Sequence, residues 1–95
     1  MAKEKIIRSS GNVFIDLGFD REEAAVLAMR SDLMARLRVH IEDRRMTQAD
    51  AAKKFGISQS RVSDLVRGKW DKFSLDTLLV LAAKAGLHPQ LKLAA

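Results

Sequence analysis

Twenty residues, Gln48 to Arg67, constrain this chain more than any others. They read Gln-Ala-Asp-Ala-Ala-Lys-Lys-Phe-Gly-Ile-Ser-Gln-Ser-Arg-Val-Ser-Asp-Leu-Val-Arg. Two short helical patterns are separated by one glycine. Ala52 is small where two helices must cross closely, and Gly56 stands where the turn needs a positive φ. Ile57, Val62 and Leu65 are apolar where the second helix must pack on the first. What remains on that helix is polar: Gln59, Ser60, Ser63, Asp64 and Arg67. Ala52, Gly56, Val62 and Leu65 occupy the fifth, ninth, fifteenth and eighteenth places counted from Gln48. Several constraints coincide, and together they describe a helix-turn-helix whose second helix suits base edges and phosphates. An ordinary helical hairpin satisfies the glycine but not the rest.

The charge falls on the same stretch. The chain carries a net +5. Arg44 to Lys72 hold eight basic and three acidic residues, and the two flanks cancel each other. A localised positive patch is the electrostatic footprint of a nucleic-acid binder. A generic solvated surface is the plainer explanation, and coincidence with the motif argues against it. Ninety-five residues with 47% hydrophobic content suffice for one small domain with a packed core. There is no cysteine, which excludes disulfides, thiolate metal sites and cysteine nucleophiles. No apolar run approaches the roughly 20 residues of a membrane span, and the first ten residues lack an apolar signal core. A cytoplasmic protein is the expectation.

The pattern predicts two parts: residues 1–19, a charged arm and a short element, and residues 20–95, the helix-turn-helix domain with a terminal strand. Residues 1–11 form the arm. Asn12 can cap one helical turn closed by Gly18, with Val13, Phe14, Ile15 and Leu17 docking on the main core; a short strand is the alternative. Asp20 then caps a long helix, with Glu23 as the reciprocal half of a capping box. Leu27, Met34, Leu37 and Ile41 recur at helical period, with Ala24 and Leu33 beside them, and the helix is expected to reach Arg45. Such length fits either a partner contact or a plain core helix. Thr47 and Ser58 cap the two motif helices, and Gly68 ends the second. Trp70 and Phe73 act as lids on the core. Ser74 caps a last helix, Leu75 to Ala85, burying Leu75, Leu78, Leu79 and Ala82. Beyond Pro89, Leu91 and Leu93 alternate with Gln90 and Lys92, the period of a half-buried strand. A lone strand needs a partner, either the N-terminal segment, a second copy or another protein; a frayed tail is the alternative.

Thr47-Gln48-Ala49-Asp50-Ala51-Ala52, Gly56-Ile57-Ser58-Gln59-Ser60-Arg61-Val62-Ser63-Asp64-Leu65 and Gly68-Lys69 closely resemble the XRE family of Cro/CI-like phage repressors. The likeness covers about residues 33–86. Asn12-Val13-Phe14, Asp16-Leu17-Gly18-Phe19, Lys72-Phe73-Ser74-Leu75-Asp76 and the terminal strand resemble its HigA-type antitoxin branch. The resemblance implies an all-α, five-helix lambda-repressor-like domain. It also implies a homodimer on palindromic DNA and, in many members, a RelE/HigB-like toxin as partner. Many relatives are stand-alone regulators.

Residue roles follow. Gln59 can donate and accept at adenine in the major groove, Ser60 and Ser63 can meet bases or thymine methyls, and Asp64 can accept from cytosine. Asp64 also repels phosphate, and an ion pair with Arg61 or Arg67 is the favoured reading of it. Gln48, at a helix N-terminus, is placed for a phosphate and can brace Gln59. Arg61, Arg67 and Lys69 are the other phosphate candidates. His40 and His88 stand apart and form no metal constellation. No catalytic arrangement is visible, and neither an enzyme nor a cofactor is expected. Five aromatics with none evidently displayed disfavour RNA binding.

Overall fold

Asp20 begins the helix on which the rest of the molecule is assembled. The computed structural model describes residues 12–94, so the charged arm at 1–11 lies outside the described residues. Asp20 is extended, and its carboxylate accepts from the Glu23 amide at 2.8 Å. The complete reciprocal box forms elsewhere, between Thr47 and Asp50. From Asp20 the helix α2 runs over Arg21–Asp43, with α1 (Val13–Asp16) before it. Three further helices follow: α3 (Gln48–Phe55), α4 (Gln59–Val66) and α5 (Leu75–Lys84), with a 3-10 turn at Trp70–Lys72 between the last two. The five-helix, all-α expectation is met among the described residues.

One stripe of α2 serves two cores. Its C-terminal half contributes Met34, Leu37 and Ile41 to the main core. Ala51 and Phe55 of α3, Val62 and Leu65 of α4, and Phe73 close around them, with Leu78, Leu81, Ala82 and Ala85 beneath. Its N-terminal half contributes Ala24 and Leu27 to a smaller core with Phe14. So α1 does not dock on the main core as the sequence suggested. A four-residue helix offers one narrow face: Phe14 is buried and Ile15 half-buried, while Val13 and Leu17 are exposed. Trp70 joins the two cores. Its ring meets Phe14 and Phe19 edge to face, with centroids 5.2 and 6.0 Å away.

All five helices end alike. The residue after each last turn has positive φ, and the next amide reaches the carbonyl five residues back, at 3.0–3.1 Å. The bonds run from Phe19 to Phe14, Met46 to Ile41, Ile57 to Ala52, Lys69 to Asp64 and Leu87 to Ala82. This 6→1 closure satisfies carbonyls that the helix leaves unpaired. It stops α2 two residues short of the expected Arg45, because Arg45 itself takes the left-handed conformation at φ 53°. Such a conformation is uncommon for a side-chain-bearing residue. At Gly56, φ 69° is met without that cost.

Two expectations at the C-terminus fail. The buried face of α5 is Leu78, Leu81, Ala82 and Ala85; Leu75 is only half-buried and Leu79 is 38% exposed. Asp76 and Lys84 mark the outer side of the helix, but the remaining apolar arc is wide enough to take in Leu75 and Leu79 at its edge. The C-terminal β-strand is also not formed among the described residues. Leu87 packs on the main core, but Leu91 and Leu93 are 71% and 90% exposed. Alternation alone gives no strand when no neighbouring backbone is present to form the ladder.

The rotated face of α5 has a measurable consequence. Leu78→Ala should lower unfolding free energy by about 2–5 kcal/mol in urea titrations, and Leu79→Ala by about 1 kcal/mol or less. Equal losses would show that both leucines are core.

Candidate nucleic-acid interface

The candidate surface is built on the second helix of the motif. Ser58 caps α4 by accepting from the Arg61 amide at 3.2 Å. Val62 and Leu65 then fix one side of the helix in the core. At about 100° per residue, Gln59, Ser63 and Arg67 fall in one row on the other side, with Ser60 beside them. Gln59, Ser60 and Arg67 are exposed, and Ser63 is half-buried. The structure therefore brings four of the expected residues onto one polar face.

Asp64 sits at the edge of that face, and its partner is a correction. It does not pair with Arg61 or Arg67. Its carboxylate lies 3.7 Å from the Lys69 ammonium, while the Lys69 amide donates to the Asp64 carbonyl at 3.0 Å. The closing turn of α4 brings Lys69 back over its last turn, which sequence spacing alone does not reveal. The ion pair is partly exposed and contributes little to stability. It does offset the one negative charge on the recognition helix.

Arg61 departs from the row. Two residues from both Gln59 and Ser63, it projects to nearly the opposite side of α4. Its guanidinium lies 4.3 Å from the centroid of the Phe73 ring, and NH1 donates to the Lys72 carbonyl at 3.0 Å. Phe73 is buried.

Gln48 lies exposed in the first turn of α3. The Thr47 hydroxyl accepts from the Asp50 amide at 3.0 Å, and the Asp50 carboxylate accepts from the Thr47 amide at 3.1 Å. The amides of Gln48 and Ala49 remain without a protein acceptor among the described residues. They are the donors a phosphate could meet, although Asp50 places a negative charge beside them. No hydrogen bond joins Gln48 to Gln59. The sequence reasoning passed over Lys72, exposed on the 3-10 turn close after Lys69. Its signal was visible as a second basic residue just beyond Gly68, after Lys69.

Part of the basic excess lies elsewhere. His40 stands in the last turn of α2, its Nδ1 accepting from Arg44 Nε at 3.4 Å, and Lys54 is near enough to act on it electrostatically. Lys84 reaches within 3.1 Å of where a β-carbon on Gly56 would stand. The C-terminal ends of α2, α3 and α5 thus meet with His40, Arg44, Lys54 and Lys84 around them. Cations there complement the negative ends of three helix dipoles. These charges are explained by the fold. The His40 Nε2 is buried without a hydrogen-bond partner.

The two capped helices, the left-handed glycine and the polar outer face define a helix-turn-helix protein. A family model described as a helix-turn-helix domain matches residues 13–93. The chain belongs to that family. No curated protein matches the sequence. None of the described helices is long and apolar enough to cross a membrane.

His40 makes stability depend on pH. Burial, then the nearby Arg44 and Lys54 charges, hold its pKa below the usual value, against a smaller opposing effect from Asp43. The unfolded chain therefore takes up this proton first. The stabilisation is complete above about pH 6.5 and is lost as pH falls toward the lower folded value. Urea midpoints measured from pH 7.5 downward should fall, and the fall should be smaller in His40→Gln. An unchanged pH dependence in that variant would remove His40 as its source.

Proposed function

We propose that this chain is a sequence-specific DNA-binding transcriptional regulator, a repressor acting on its own operon. The observation that carries this reading is the polar row Gln59, Ser63 and Arg67, flanked by Ser60, on a helix whose other side is locked into the core. Such a helix enters the major groove and reads base edges through side chains of this kind. Gln59, Ser60 and Ser63 meet bases, with Asp64 at the edge tempered by Lys69. Gln48, Arg67 and Lys69 meet phosphates. The protein acts as a homodimer, placing two recognition helices about one helical turn apart on a palindromic operator.

RNA binding is the weaker reading. All five aromatics, Phe14, Phe19, Phe55, Trp70 and Phe73, are packed in the two cores. No open platform is left for stacking bases.

The reading divides the residues by kind of contact. Gln59→Ala should relax preference at one base position by about 1–3 kcal/mol. Arg67→Ala should weaken all sequences alike and flatten the salt dependence. Binding measured on duplexes selected from a random pool and on unselected duplex checks both. Equal losses on both kinds of DNA for both variants would overturn the assignment.

A second role, as the antitoxin of a toxin–antitoxin pair in the XRE-type HigA branch, is supported by an apolar groove. Met29 and Leu33 of α2, Leu75 and Leu79 of α5, and Pro89 and Leu91 of the tail line about 820 Å3 of open space. Exposed apolar surface of this kind marks a protein contact. A RelE/HigB-like toxin is the proposed occupant. Co-expression with the adjacent small basic reading frame should give a complex that survives gel filtration. Absence of such a frame, or of a complex, would leave a stand-alone regulator.

A further inference from the structure

The connection that leaves α4 is held from two sides. Trp70–Lys72 is a single 3-10 turn, and its own closing bond is long, with the Phe73 amide 3.5 Å from the Trp70 carbonyl. Two arginines from different helices supply what the turn lacks. Arg30 of α2 donates through NH1 to the Trp70 carbonyl at 3.1 Å. Arg61 of α4 donates through NH1 to the Lys72 carbonyl at 3.0 Å and lies 4.3 Å from the Phe73 ring centroid. The gripped turn bears Lys72 and follows directly on Lys69. Trp70 within it is also the residue that joins the two cores.

We propose that Arg61 is a positioning residue for DNA recognition: it fixes the tilt of α4 and the place of Lys69 and Lys72 by clamping the turn, and makes no phosphate contact itself. This inference rests on the DNA-binding reading above. Three observations carry it. Arg61 projects from the side of α4 opposite Gln59 and Ser63. Its guanidinium carbon lies over a buried ring. One of its donors is committed to a main-chain carbonyl. A guanidinium can make both contacts at once, because its donors lie in the plane that stacks on the ring. A lysine has no such plane. The clamp acts at the exit of the recognition helix, where a small rotation would displace its outer row and the two lysines together.

The test separates a clamp from a phosphate contact by salt dependence. Each phosphate contact adds about 0.9 to the slope of log Kobs against log salt on duplex DNA. The probe is a 30-base-pair duplex of random sequence, followed by fluorescence anisotropy across a salt series. Arg61→Ala should weaken binding about three- to tenfold at every salt concentration with the wild-type slope retained, because Lys69 and Lys72 on their long side chains shift without leaving the phosphate backbone. Phe73→Leu, which keeps an apolar side chain in the core, should act the same way. Combining the two should weaken binding no further than the worse single change. Arg61→Lys, which keeps the charge and a folded chain, should remain weakened with the wild-type slope. A slope lower by about 0.9 in Arg61→Ala, full additivity with Phe73→Leu, or wild-type affinity in Arg61→Lys would each overturn the clamp. Wild-type protein without salt-dependent binding would instead overturn the DNA-binding reading beneath it.

Discussion

The molecule depends on one stripe of α2. Every other helix is placed by contact with it or with something packed on it. Met34, Leu37 and Ile41 present a surface that the two motif helices and α5 can bury together. Ala24 and Leu27 offer the same stripe, two turns earlier, to α1. Apolar burial has no direction of its own, so the stripe brings elements together without fixing their angles. The angles are fixed by polar contacts at the ends: side-chain caps at the starts of the helices, 6→1 bonds at their ends, and two guanidiniums on the 3-10 turn. A recognition helix needs both. Burial anchors it, and the hydrogen bonds decide which way its outer row points.

The aromatic contact between the two cores gives this scheme a long reach. Phe14 and Phe19 belong to the N-terminal segment, while Trp70 follows the recognition helix by only a few residues. The short first helix therefore packs against the same turn that Arg30 and Arg61 hold. A segment remote in sequence from the polar row of α4 is in mechanical contact with the exit of that helix.

Much of this was legible in the sequence, and the legible part was local. Asp20, Thr47, Ser58 and Ser74 are caps because a side-chain oxygen reaches an amide three residues on. Gly56 and Gly68 close helices because they follow the last apolar residue. The α2 stripe was legible because its other side is charged. The buried face of α5 was legible only in part, since Asp76 and Lys84 mark the outside but the wide apolar arc that includes Leu75, Leu79 and Leu81 does not show where burial ends. The tail failed for a different reason: alternation at Leu91 and Leu93 describes a strand's side chains but cannot supply a neighbouring ladder. On α4, the outward position of Gln59, Ser60 and Ser63 was legible from helical period alone. The partners of Asp64 and Arg61 were not, because both contacts cross a turn whose geometry spacing does not encode. Charge counting had the same limit, since it could not separate Arg44 and Lys54, grouped at the helix ends around His40, from Arg67 and Lys69 at the end of α4.

The five helix closures also differ in the residue that makes the 6→1 bond. After α1, α2, α3 and α5 the residue making the 6→1 bond is Phe19, Met46, Ile57 or Leu87, and each packs on a core. After α4 it is Lys69. The hydrophobic contact that ordinarily seals this motif is absent at the end of the recognition helix alone. The chain thus forgoes an apolar anchor at the point where a cation faces outward. A leucine at this position would tighten the domain and leave Asp64 uncompensated at the edge of the polar row. Stability and charge compete for a single side chain there, and in this sequence charge has taken the place.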